Sequence, residues 1–286
     1  MNETLTKRRH HHPTSYYVIT VVSVTILVIA WIIIMLPLLW GVLNSVKTNN
    51  EFYRNCFGWP EKILWSNYSE AWKAGISDYI VNSFKVTGIS TFITVAISSL
   101  AAYGLARYRF KGGKVMFLMI LGGLMVSEYC IIVPLYNVFL KLGLRNTHTA
   151  LYIVYVTMHT PFSVFLIRSY FLSMPREVEE AAIIDGCSPL GIFFRIALPL
   201  SKPILFSAAL ITAVACWNEF MFAMVFIDSQ NLMTIPLGLQ TFQGQYRTNW
   251  SITLSACVIS SLPLLIAFLV AQKQFVRGLA AGSVKG

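Results

Sequence analysis

The stretch EVEEAAIIDGCSPLGIFFRIALP, Glu177–Pro199, sets four acids into its first nine residues and lies between two strongly apolar runs. Read locally it is two short helices around a tight turn. Ser173 is placed to cap the first, with Pro175 in its opening turn. Glu177, Glu179 and Glu180 crowd that first turn, where the helix dipole favours negative charge. Gly186 is expected to end the helix in the left-handed conformation that glycine adopts cheaply. Ser188 then caps a second helix with Pro189 at its first position, running through LGIFFRIA to Pro199. On the first helix Val178, Ala181, Ala182 and Asp185 share a face, and two adjacent alanines permit close approach of another backbone. That is the shape of a helix that docks in a groove on a partner. On the residues alone, a solvated connection on a membrane surface remains the alternative.

The surrounding composition sets the class. Hydrophobic residues make up 56% of the chain and charged residues 12%, against about 25% in soluble domains. The mean hydropathy is +0.64. The net charge of +10 is spread over the ends of apolar runs, where basic residues set topology and meet anionic headgroups; this excludes a nucleic-acid partner. Five cysteines without a CxxC imply no disulfide framework and no metal site. His10–His12 reads as part of a disordered tail.

Six stretches are long and apolar enough to span a bilayer: Val18–Leu43, Tyr79–Tyr103, Val115–Leu140, Ala150–Leu172, Pro203–Ile227 and Ile252–Ala271. The first follows Lys7, Arg8 and Arg9, but its apolar part is too long for a signal peptide, so it is expected to stay as a span. With alternating spans, the basic segments around Arg107–Lys114, Arg176–Lys202 and Lys273–Lys285 fall on the same side as Lys7–Arg9. Both termini and the acidic hairpin are therefore expected to be cytoplasmic. The fold expected is an all-α polytopic membrane protein, with a tail, first span and outer loop over 1–78, a core over 79–272 carrying the hairpin at 173–201, and a tail over 273–286. The aromatics of the outer loop, Phe52 to Trp72, read as an interfacial belt.

Glu180-Ala181-Ala182, then Gly186, then Ile196-Ala197-Leu198-Pro199 resembles the EAA signature, E-A-A-x-x-x-G-(nine)-I-x-L-P, of ABC-importer permeases, and Asp185 fits its sugar-permease variant. The likeness extends through NYSEAW (67–72), NSFKVT (82–87), AAYGLARYRFKGGK (101–114), VPLY (133–136), LGLRNT (142–147), WNEF (217–220), TIPLGLQTF (234–242) and the C-terminal FVRGLAAGSVKG (275–286). These resemble the carbohydrate-uptake permeases, in particular the smaller permease of the maltose type.

The resemblance implies a type I ABC-importer permease fold in a prokaryotic cell membrane. It also implies three kinds of partner beside the lipid bilayer: a second, different permease, two ATP-binding-cassette subunits and an extracytoplasmic sugar-binding protein. ATP and Mg would be bound by the partner subunits, with no cofactor on this chain. Glu180, Ala181, Ala182, Asp185, Gly186, Ile196, Leu198 and Pro199 would form the coupling loop that docks on the ATPase. Gly278, Ala281, Gly282, Lys285 and Gly286 would lie in an extended tail contacting the ATPase subunits. Gln240, Thr241, Phe242, Gln243 and Gly244 would form the loop reaching into the binding protein.

Three polar residues inside the spans are passage-lining candidates: Glu128 near the middle of the third, and Asn218 and Glu219 in the fifth. A charge at the bilayer centre costs about 2.5–3.5 kcal/mol on insertion scales, so such residues face the bundle interior. Glu128 is also where the chain departs from the family, whose usual MIP is Met125-Val126-Ser127 here. For Glu219 a structural or gating role stands beside cargo contact. In the fourth span Pro161 is expected to make a kink, and Arg168 to reach toward the cytoplasmic interface. The chain has no G-x-x-x-x-G-K-[ST] loop and no nucleophile–His–acid set, so an enzyme is not expected. A polyol or glycerol-phosphate cargo is the nearest alternative; a secondary carrier would leave the hairpin unexplained.

Overall fold

The structure is a computed structural model and describes residues 14–243 and 248–283. Among the described residues all regular structure is helical. In chain order the helices are α1 Thr14–Ser45, α2 Asn49–Arg54, α3 Ser66–Ala71, α4 Ser77–Arg107, α5 Gly113–Gly122, α6 Glu128–Lys141 and α7 His148–Ser173. Then follow α8 Glu177–Ile184, α9 Pro189–Ile192, α10 Leu198–Leu200, α11 Lys202–Asn218, α12 Met221–Phe226, α13 Ile235–Gln240 and α14 Trp250–Ser283. Four helical segments are long and apolar enough to cross a membrane, and two bent pairs bring the number to six. The six expected spans thus map onto four long helices and two broken ones.

The third and fifth expected spans are each interrupted. Between the Gly113–Met125 segment and α6 the axis turns by 97°. Tandem glycines, Gly122-Gly123, weaken the helix there, and Val126 and Ser127 are extended. Gly123 also sits against α7, where a Cβ would lie 3.2 Å from Pro161 Cγ. Glu128 is therefore the first residue of α6, exposed, and not the middle of a span. The fifth expected span stops at Asn218 and resumes at Met221, leaving Glu219 in the gap. At its other end, Pro189–Leu200 meets α11 at 75°.

α4 packs along α7 and α11, and α14 along α11 and α1. The Ile19–Ser45 segment has an entirely exposed apolar window, the surface of a helix solvated by lipid. α7 runs unbroken through Pro161. Arg168 lies toward the hairpin end of α7, where its Nε donates to the Leu105 carbonyl at 3.4 Å and its guanidinium stacks 4.1 Å above the Phe117 ring. The interior divides into a cluster near the hairpin (Tyr103, Phe171, Phe193, Ala197) and two toward the opposite end, around Tyr155–Phe222–Phe226 and around Tyr79–Trp217–Ile235.

At that opposite end the 44–78 segment is tied down by buried polar groups. Lys47 is fully buried, its Nζ donating to the Asn55 and Gly58 carbonyls at 3.0 and 2.7 Å. Asn67 Nδ2 donates to the carbonyls of Ser45 and Lys47, both at 2.8 Å. Phe57, Trp59 and Trp65 stay exposed, as an interfacial belt requires.

Candidate functional site

The hairpin emerges between α7 and α11. Its turn has the expected design. Gly186 sits at φ 78°, the Cys187 N–H donates to the Ala182 carbonyl at 2.9 Å, and the Gly186 N–H donates to that of Ile183 at 3.0 Å. That pair of bonds is a Schellman closure of α8. Ser188 Oγ accepts from the Gly191 N–H at 3.2 Å, capping α9 with Pro189 at its start.

Two local expectations fail. Ser173 is the last residue of α7, with its hydroxyl bonded to the Tyr170 carbonyl at 2.8 Å; α8 begins after Arg176 without a side-chain cap. Ala181 and Ala182 do not share an outward face: Ala181 is exposed and Ala182 is buried. Leu198 is half-buried and packs on the cluster around Tyr103, so it and Ala182 serve the chain's own packing. The outward face carries Glu180, Ala181, Asp185, Gly186 and Pro199, with Ile196 half-buried. Beside them stand Ile183, Leu190 and Ile184, the last 86% exposed. Exposed isoleucines thus stand among acids on this face.

Glu179 points the other way. Its Oε1 accepts from Arg107 Nε at 2.8 Å and its Oε2 from the Tyr103 hydroxyl at 3.3 Å. Arg107 Nη2 also donates to the Met174 carbonyl at 3.1 Å. The pair is nearly buried, with side chains 7% and 12% exposed. A cavity of about 360 Å³ opens beside it, bordered by Tyr108, Arg176, Glu180 and Cys187. Sequence reasoning missed the pairing because the partners are 72 positions apart; the excess of acids over what α8's first turn needs was the available signal.

Glu219 is an anchor. Its Oε1 accepts from the Phe222 N–H at 2.8 Å, and its Oε2 from the Ala223 N–H at 3.2 Å and the Tyr155 hydroxyl at 2.5 Å. It therefore holds the start of α12. Asn218 is exposed, its Nδ2 bonded to the Val214 carbonyl at 2.8 Å. The Glu128 side chain makes no hydrogen bond or ion pair with any described residue.

At the far end Gln240 closes α13 and Thr241, Phe242 and Gln243 follow in a turn. Phe242 packs on the Tyr79–Trp217 cluster and Thr241 bonds to the Gly238 carbonyl at 2.7 Å. Gly238 is required there, since a Cβ would come within 2.2 Å of the Tyr79 ring. Gly244, Lys285 and Gly286 lie outside the described residues. Gly278, Ala281 and Gly282 belong to α14, which stays helical through Ser283 where an extended segment was expected. A helix satisfies its backbone within the segment, whereas a strand needs a neighbour to pair with. Among the described residues no cluster of His, Cys, Asp or Glu is placed to hold a metal.

The described residues thus form a helical membrane bundle with broken spans and an exposed two-helix hairpin at one end. Residues 94–281 match the family described as binding-protein-dependent transport system inner membrane component. The probable ABC transporter permease protein YurM of Bacillus subtilis (strain 168) is 48% identical over 255 residues, 89% of this chain and 85% of that protein. The trehalose/maltose transport system permease protein MalG of Thermococcus litoralis is 37% identical over 263 residues, 89% of this chain and 93% of that protein. One chain of a bacterial ABC transporter involved in alginate import superposes with a TM-score of 0.81 at 21% identity, over 93% of this chain and 100% of that one, and so shares the fold. The chain belongs to the binding-protein-dependent transport system inner membrane component family; it is an ABC-transporter permease subunit.

Proposed function

We propose that this chain forms half of the passage of an ATP-driven importer for a sugar or oligosaccharide, paired with a second, different permease. Two ATP-binding-cassette subunits supply the work, one of them docking on the hairpin, and a sugar-binding protein delivers cargo from the other side. The observation that carries this reading is the outward face of α8 and α9. Glu180, Asp185, Ile183, Ile184 and Leu190 stand exposed on a hairpin braced from behind by Arg107. The hairpin and both termini are cytoplasmic, in keeping with the basic residues at that end.

The mechanism is alternating access. Nucleotide and loaded binding protein shift the assembly only through different affinities for its two states. This chain supplies coupling and passage walls, while ATP and Mg stay on the ATPase subunits. The sugar cargo is supported by the trehalose/maltose relative; a polyol or glycerol-phosphate ester is the second reading. Glu128, exposed at a helix break and unpaired, lines the passage together with Asn218; Glu219 holds the wall without touching cargo. The 240–244 segment meets the binding protein and the tail from Gly278 onward meets the ATPase.

Gentle solubilisation from native membranes followed by mass spectrometry tests this. An ATP-binding-cassette subunit and a different permease should co-purify. A folded chain that comes through reproducibly alone, even after crosslinking, overturns the reading.

A further inference from the structure

α4 touches both functional ends of the molecule. It is a continuous 31-residue helix without proline, about 46 Å long at 1.5 Å per residue. At the hairpin end Arg107 and Tyr103 hold Glu179 of α8, and Tyr103 also packs edge-on to Phe171 at 5.3 Å and against Phe193, just beyond α9, at 5.1 Å. At the far end its first turns hold the segment 228–243. Asn82 Nδ2 donates to the Asn231 and Met233 carbonyls at 2.8 and 3.0 Å. The Ile235 N–H donates to Ser83 Oγ at 2.8 Å, and Gln230 Nε2 donates to the Tyr79 hydroxyl at 2.9 Å. Gly238 lies directly on the Tyr79 ring.

We infer that α4 is the strut that carries movement of the hairpin to the 228–243 segment, with Arg107 and Glu179 as the positioning pair that engages it. This rests on the reading of the hairpin as the ATPase-docking element. The physical reason is the cost of slippage. If α8 moved without α4, the guanidinium of Arg107 would be left buried without its carboxylate, and breaking buried pairs in this way is strongly destabilising. Moving both together keeps the bond. Coupling over such a distance needs an element that both sites bias, and a continuous helix fastened by polar bonds at each end is placed to be one. α7 also reaches both ends, through Tyr170 to the Leu200 carbonyl and His148 to that of Leu232. A variant at Glu179 leaves those bonds in place and so separates the two routes.

The test is hydrogen–deuterium exchange on the intact complex in lipid nanodiscs, nucleotide-free and trapped with ATP and vanadate. In the unmodified complex ATP should change exchange both at 177–199 and at 230–241. In Glu179→Gln the change at 177–199 should persist, and that at 230–241 should shrink by at least about fivefold, the lower end of typical coupling. The charge swap R107E/E179R should restore it, which ties the effect to the ion pair and not to either side chain alone. Asn82→Ala, at the other end of α4, should also lose the 230–241 response, and it carries the test if Glu179→Gln does not assemble. An undiminished 230–241 response in either variant overturns the strut. If ATP changes 177–199 but not 230–241 in the unmodified complex, the strut alone fails. If ATP changes neither, the docking reading fails and takes the strut with it.

Discussion

Glu219→Ala separates a cargo contact from a structural anchor. In the structure both carboxylate oxygens are committed, to Tyr155 and to the N–H groups of Phe222 and Ala223. Tyr155 is 1% exposed, so truncation orphans a buried hydroxyl, at about 1–3 kcal/mol. Losing the acceptor at the start of α12 adds about 0.5–2 kcal/mol. Together these give about 1.5–5 kcal/mol, or a fall in melting temperature on the order of 3–15 °C for a chain of this size. Glu219→Gln keeps an oxygen for the N–H groups and an amide that donates to the phenol oxygen. It loses the charge assistance and should cost about 1 kcal/mol. The assay is thermal unfolding of the purified complex at one fixed scan rate, because membrane complexes unfold irreversibly. If Glu219→Ala melts with the unmodified protein and only transport is lost, the anchor assignment is wrong and Glu219 touches cargo.

Three further outcomes are expected. Gly238→Ala forces a methyl to within 2.2 Å of the Tyr79 ring, whereas Gly104→Ala has no neighbour within 4 Å. The first should lower thermal stability by about 1–3 kcal/mol and the second should not, helix propensity favouring alanine by about 1 kcal/mol. Lys47→Met leaves the Asn55 and Gly58 carbonyls without a donor and should destabilise by about 2–4 kcal/mol, seen as faster proteolysis within 44–78. Gly186→Ala puts a side chain at φ 78° and should strain the α8–α9 turn by about 1–2 kcal/mol, lowering ATPase activity in the assembled complex; unchanged activity would show that the turn tolerates distortion.

The hairpin was legible because its determinants are local. Gly186, Ser188 and Pro189 each act on bonds within five residues, and each does in the structure what its side chain dictates. Spans were legible from hydropathy, but their breaks were not. An apolar run reads the same whether its axis is straight or turned by 97°, and only the Gly122-Gly123 pair marked the place. Ser173 was misplaced because α7 runs on through it, and Ala182 for a further reason. Helical spacing assigns faces relative to one another, but which face turns inward was decided by Arg107, from a helix distant in sequence. The same limit hid the bonds between α4 and 230–241, where Asn82 and Ser83 looked like ordinary polar residues at a span's end.

The most direct measurement is photocrosslinking from Ile184, the most exposed large hydrophobic side chain of the hairpin at 86%. A benzophenone amino acid placed there in the full chain, irradiated in native membranes, should form an adduct with an ATP-binding-cassette subunit, at an extent that changes when ATP is added. Adducts confined to lipid or to the second permease, in a complex shown to be intact, would contradict the assignment of Glu177–Pro199 as the site where the ATPase docks.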